Sequence, residues 1–107
     1  MDKQNKTCPV SSFTSMLGGK WKLVIIGRLR NKDSLRFGFL AASIDNISRK
    51  VLTDQLKELA KDGLVKRKQY NEIPPRVEYS LTVKGKSLCG VFQSIEEWMN
   101  VKQTIHL

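Results

Sequence analysis

The chain has a single histidine, His106, two cysteines, Cys8 and Cys89, and three prolines among 107 residues. One imidazole beside the C-terminus leaves no nucleophile–base constellation to argue for. Neither a P-loop nor a dinucleotide fingerprint occurs, so the parts of an enzyme site are missing and no catalytic activity is expected. Two cysteines make neither a disulfide framework nor a zinc ribbon. No metal or other cofactor is expected, and the reducing cytoplasm is the simplest location. No apolar run approaches the roughly 20 residues that span a bilayer. The opening MDKQNKTCPV lacks the apolar core of a signal peptide. Repeats and low-complexity tracts are absent. Acids are scarce as well: 10 Asp and Glu stand against 19 Lys and Arg, for a net charge of +9. An excess of that size favours a polyanionic partner, either nucleic acid or an anionic surface.

What is present concentrates between Ile47 and Leu81. The segment ISRKVLTDQLKELAKDGLV leads directly into KRKQYNEIPPRVEYSL. Ser48 is a suitable N-cap, because its hydroxyl can accept from an unpaired N–H of the first turn. The helix is expected to bury Val51, Leu52, Leu56 and Leu59 and to end at Asp62-Gly63, where glycine can take the left-handed conformation of a C-terminal cap. Val65 to Tyr70 and Arg76 to Leu81 then alternate as two strands joined by a loop that Pro74-Pro75 stiffens. Seven cations against three acids between Arg49 and Lys68 give this helix and hairpin a basic character. A basic amphipathic helix followed by a basic hairpin is the outline of a winged helix-turn-helix.

The flanks supply the rest. Cys8-Pro9 opens a helix carrying Val10, Phe13, Met16 and Leu17, which Gly18-Gly19 ends. A second helix from Lys20 to about Asn31 is apolar on most sides, and Trp21 is read as core. Leu35-Arg36 is read as a short strand, and Phe37, Leu40, Ala41 and Ile44 as a short helix. Thr82 can cap a final helix whose apolar residues, Leu88 through Met99, recur at i, i+3, i+4 and i+7. That stripe is long for the end of a small domain. Half can seal the core while the rest meets another chain. The resulting expectation is an α+β fold: a winged helix-turn-helix, mostly helical with a two- to three-stranded wing, extended by terminal dimerisation helices. It is one domain over residues 1–107, with about 7–34 and 82–104 also supplying a dimer interface. A frayed head is expected from Met1 to about Lys6.

Five pieces occur in one order: CPV at Cys8 to Val10, GGKW at Gly18 to Trp21, RFG at Arg36 to Gly38, the segment Ile47 to Val65, and PPRVEYSLT at Pro74 to Thr82, with a closing Trp98. Together they resemble the HxlR-type transcriptional regulators, a branch related to the MarR winged-helix proteins, over nearly the whole chain from Cys8 to Met99. The resemblance implies a homodimer of prokaryotic origin that binds pseudo-palindromic operators and makes most of its dimer contact through the terminal helices. In some members the cysteine of the CPV-like piece senses oxidants or electrophiles, which makes a small oxidant or electrophile the implied effector. Three positions depart from the pattern. Phe39 stands where an acid is common and enlarges the apolar surface. Asp54-Gln55 replaces a more basic pair, which points to a different operator preference. Cys89 has no regular counterpart, so a resolving role is not inherited, and packing is its reading.

For double-stranded DNA, phosphate contacts give affinity and base-edge contacts give sequence. The N-terminal exposed residues of the helix, Ser48, Arg49, Lys50 and Thr53, are the candidates for base contacts. Lys57 is assigned to phosphate, Arg36 to the backbone, and Lys66, Lys68 and Arg76 to the wing, with Arg76 the choice for the minor groove. The dimer candidates are Val91, Ile95, Trp98 and Met99 with Val10 and Phe13. Cys8, at a helix N-terminus with Lys6 nearby, is the candidate redox sensor. The location implied is cytoplasmic and nucleoid-associated, away from membranes. The alternative is a winged-helix module for protein–protein or RNA contact without specific DNA readout, since a fold does not fix a function.

Overall fold

The computed structural model describes residues 8–105, with side chains to residue 100. Met1 to Lys6 and His106 lie outside the described residues. In chain order the elements are α1 (Pro9–Leu17), α2 (Lys22–Leu29), β1 (Leu35–Arg36), α3 (Phe37–Ala42), α4 (Arg49–Lys61), β2 (Val65–Tyr70), β3 (Arg76–Leu81), α5 (Val83–Lys86) and α6 (Cys89–Ile105).

Leu52, Leu56 and Leu59 are fully buried and fall on one stripe of α4. They meet Ile25, Ile26 and Leu29 of α2 and Leu40 of α3 in one core. The expectation that Val51 joins them is corrected, for Val51 is 37% exposed. A residue one position from Leu52 is rotated about 100° around a helix, which takes it off the buried stripe. The helix α2 is shorter than its apolar pattern: it begins after Trp21, and Arg30 forms its C-cap.

The wing is three-stranded, in the order β1-β3-β2, and antiparallel throughout. Two-residue β1 pairs Leu35 with Tyr79 and Arg36 with Glu78. In the hairpin, Val65 lies opposite Leu81 and Tyr70 opposite Arg76. Buried Val65, Tyr79 and Leu81 turn one face of the sheet onto the core.

Both expected caps of α4 form. The Ser48 hydroxyl accepts from the Val51 N–H at 3.0 Å, and Gly63 takes a φ of +78°. Thr82 also caps as expected, accepting from the Gly85 N–H at 3.0 Å. The helix it opens is only α5, and a turn at Ser87-Leu88 separates it from α6. The Thr82 hydroxyl donates to the Gly63 carbonyl at 2.6 Å. Its N–H donates to the Leu64 carbonyl at 3.1 Å. Lys84 Nζ donates to the Asp62 carbonyl at 3.0 Å. The end of α4 and the start of α5 are thereby joined. Gly85 permits that join, because a Cβ there would fall about 2.2 Å from the Leu64 carbonyl oxygen.

The apolar stripe of the last helix divides as its length suggested. Leu88 and Phe92 pack on the core. Val91, Ile95, Trp98 and Met99 stay exposed. Arg30 ties α6 down, with a guanidinium nitrogen 3.2 Å from Glu96 and its carbon 4.9 Å from the Phe92 ring centroid. No helix among the described residues is long and apolar enough to cross a membrane.

Candidate nucleic-acid interface

Burying the leucine stripe of α4 forces its opposite face outward. Ser48, Arg49, Lys50 and Lys57 are exposed there and Thr53 is half-buried. The Arg49 guanidinium sits 5.4 Å from the Phe37 ring centroid. That contact steers the side chain without neutralising it. Lys50 pairs with Asp54 one turn on, at 3.0 Å, and both side chains are at least half exposed. A solvated pair of this kind contributes only about 0.3–0.5 kcal/mol and can be exchanged for another anion.

Between α4 and the wing lies an open hollow of about 800 Å³. Thr53 and Lys57 line it from α4, Arg36 from β1, Phe37 and Gly38 from the start of α3, and Arg67, Glu72 to Val77 and Tyr79 from the wing. Of the residues selected from sequence, the hollow therefore brings together Arg36, Thr53, Lys57 and Arg76. Ser48, Arg49 and Lys50 stand at the N-terminal end of α4 and are not part of its lining. Lys66 and Lys68 are also outside the lining. They alternate along β2 with Arg67, so they project from the other face of the strand. Among the described residues, Arg36 and Lys57 have no carboxylate partner, and Arg67 reaches only the Gln69 side-chain oxygen, at 3.4 Å.

Arg76 is placed differently. It lies 3.3 Å from Glu72 and 3.1 Å from Glu78. Its guanidinium carbon is 3.9 Å from the Tyr70 ring centroid. Three quarters of its side chain is covered. The strand register makes this arrangement, because Arg76 is opposite Tyr70 and two residues from Glu78.

Arg67 and Ile73 are among the lining residues not selected from sequence. Arg67 shares a side of β2 with Val65, away from the lysines chosen for the wing. Its register opposite Tyr79 is the signal that would have found it, since Tyr79 packs on Phe37 with ring centroids 6.4 Å apart. Ile73, at the wing tip, is fully exposed. Apolar and in a loop, it carried no sequence signal.

Of the apolar candidates on the other side of the molecule, Val10 is 70% exposed, whereas Phe13 packs partly against the core. Phe39 is 64% exposed, enlarging the apolar surface as expected. Cys8 is half-buried, at the N-cap of α1. The approach of the Ser11 backbone N–H, and secondarily of its hydroxyl, favours the thiolate and holds Cys8 below the usual thiol range. Lys6, the other influence expected there, lies outside the described residues. Cys89 is half-buried. Among the described residues no group of acids, histidines and cysteines could hold a metal ion.

The profile of the HxlR-like helix-turn-helix family matches residues 16–105. A helix-turn-helix transcriptional regulator of Halalkalibacterium halodurans is 46% identical over 96 residues, spanning 90% of this chain and 85% of the relative. The crystal structure of a MarR-family regulator from Porphyromonas gingivalis W83 superposes with a TM-score of 0.81 at 42% identity, covering 87% of this chain and 90% of the other. The reduced form of the redox regulator HypR superposes with a TM-score of 0.82 at 34% identity, covering 92% and 96%. These likenesses, with a capped basic helix set against a three-stranded wing, place the chain in the HxlR-like helix-turn-helix family of MarR-type transcriptional regulators.

Proposed function

We propose that this regulator binds a pseudo-palindromic DNA operator as a homodimer, with α4 in the major groove and the wing beside the adjacent backbone. The observation that carries this reading is the hollow between α4 and the wing, whose cations Arg36, Lys57 and Arg67 form no ion pair among the described residues, while its lining acid Glu72 is engaged by Arg76. A sugar–phosphate strand running through it is held by those three. Ser48, Arg49, Lys50 and Thr53 then meet base edges ahead of it. An arginine fork at guanine is worth roughly 1–3 kcal/mol of discrimination. Lys66 and Lys68 supply phosphate contacts on the outer face of the wing. Arg76 is engaged by Glu72, Glu78 and Tyr70, and it braces the wing. A protein-interaction module has no need of such a cationic face, which disfavours that alternative.

Two α4 helices one DNA turn apart require a two-fold dimer. The exposed stripe of Val91, Ile95, Trp98 and Met99, together with Val10, is the surface for it, and Phe13, half-buried against the core, borders it from α1. On this reading about 7–34 and 82–104 also supply the dimer interface of the single DNA-binding domain.

The test is anisotropy of labelled DNA selected from a random library, titrated across salt. Five phosphate contacts per subunit, from Arg36, Lys57, Lys66, Arg67 and Lys68, give a slope of log K against log salt of roughly −9 for the dimer. A flat response overturns the reading, and so does undiminished binding by an Arg49→Ala, Lys50→Ala double variant. A monomer at micromolar concentration overturns the dimer.

A redox response through Cys8 is the second part of the reading. It is favoured by the thiolate-stabilising Ser11 and by likeness to a redox regulator. A thiol held below its usual range is more reactive at neutral pH, so Cys8 is expected to alkylate before Cys89. Diamide is expected to weaken DNA binding by the wild type and not by Cys8→Ser. Equal sensitivity of the two proteins ends the sensor assignment.

A further inference from the structure

The wing tip lacks what a minor-groove reader usually offers, which is a free cation. Arg76, the one guanidinium beside the tip, lies between Glu72 and Glu78 and over Tyr70. Lys68 Nζ, on the same face of the hairpin, lies 4.9 Å from the same Tyr70 ring. The loop is closed further by the Glu72 N–H, which donates to the Tyr70 carbonyl at 2.9 Å. From this braced base projects Ile73, bare on all sides and followed by two prolines. A hairpin tip is ordinarily polar, and an isolated exposed isoleucine on a mobile loop would call for no explanation. Ile73 differs in two respects. Its support is fixed by ion pairs on both flanks. Its neighbours also line the far wall of the hollow, opposite Thr53 and Lys57 of α4.

That placement matters once a DNA strand occupies the hollow. The backbone of a duplex separates the major groove from the minor groove. With α4 on one side of the backbone, the tip on the other side meets the minor groove. Apolar side chains such as isoleucine and proline act there as wedges, partly unstacking a base step and kinking the duplex. Isoleucine suits this use because its branched side chain has few rotamers to lose. We propose that Ile73, backed by Pro74, is such a wedge, and that it selects operators with an easily unstacked pyrimidine–purine step one backbone away from the α4 contacts. Flexible steps of this kind deform at lower cost than others, so the preference arises without a hydrogen bond to a base. The proposal rests on the DNA-binding reading above and adds to it a specificity-determining residue that holds no phosphate.

The absence of a phosphate contact is what makes the wedge testable. The full chain would be used with a DNA fragment that it enriches from a random duplex library. Ile73→Ser is expected to weaken binding by roughly tenfold, because the side chain that replaces the lost stacking of the base step is gone. The slope of log K against log salt should stay the same, because no counterion release is lost. The bend of the fragment, read by energy transfer between its ends, should fall. Ile73→Met should keep both affinity and bend, since a long apolar side chain remains. Replacing the pyrimidine–purine step in the fragment should weaken the wild type and leave Ile73→Ser unaffected. Wild-type affinity and bend in Ile73→Ser overturn the wedge while leaving DNA binding intact. A shallower salt slope in Ile73→Ser overturns it too, and so does loss of the dimer, which would make the tip a protein contact. If the wild type enriches no sequence at all, the DNA-binding reading falls and takes the wedge with it.

Discussion

Lys22 and Lys57 carry the same ammonium group, and both touch the surroundings of α4, yet they stand on opposite sides of it. Lys22 reaches from α2 to Glu58 at 2.7 Å with only 12% of its side chain exposed, and it also donates to the Met16 carbonyl at 3.4 Å. Lys57, the sequence neighbour of Glu58, opens onto the hollow with no carboxylate partner among the described residues. The same division holds more widely. Behind α4, Arg28 holds the Ser43 carbonyl at 3.0 Å, Arg30 holds Glu96, and Lys84 holds the end of α4. In front of it, Arg36, Lys57 and Lys66 hold no acid. A net charge of +9 is therefore a sum over two populations. One fastens helices together, and the other remains available to an anion. Long-range attraction depends on both, but the grip on phosphate depends on the second.

The comparison can be broken first where the two halves meet. Gly85→Ala would drive a methyl group into the Leu64 carbonyl, where backbone cannot yield cheaply. A loss of about 3 kcal/mol or more is expected in urea unfolding. A midpoint near that of the wild type would mean that the halves are not tightly joined. The lysines then sharpen the contrast. Lys57→Gln should leave stability within about 0.5 kcal/mol and flatten the salt slope of DNA binding by about 1.8 units for the dimer. Lys22→Met should do the reverse, with about 1 kcal/mol of stability lost and no change of slope. Exchanged outcomes would dissolve the distinction. The smallest effect is expected for Asp54→Asn, which releases Lys50. Stability should fall by only about 0.3 kcal/mol, while DNA binding tightens and its salt slope steepens. Unchanged binding would show that Lys50 never meets the DNA.

Much of the reading apparatus was legible because local chemistry decides it. Ser48 and Gly63 bound a helix whose leucines fix its buried side, and the wing strands follow from alternation and prolines. What escaped depended on partners distant in sequence. Two-residue β1 is the short strand expected at Leu35-Arg36, but its place on the edge of β3 is set by residues far along the chain. Arg76 looked like a free cation until the register set it over Tyr70 and beside Glu78. Gly85 carries no signal of its own in the sequence. Its necessity arises from the carbonyl of Leu64, 21 positions earlier in the chain. Val51 failed for a different reason. An apolar residue next to a buried one was assumed to share its burial, though a helix turns 100° between them.

The Thr82 join has a consequence for motion. Its contacts to Gly63, Leu64 and Gly85 tie the end of α4 to the start of α5. A segment held this way opens as a cooperative unit, and its amide protons exchange together. Fraying of α4 is then expected at its N-terminal turn, which the Ser48 hydroxyl caps. On the proposed DNA-binding reading, the end of the helix assigned to bases is the end left freer to breathe, and the end joined to the terminal helices is the one kept still.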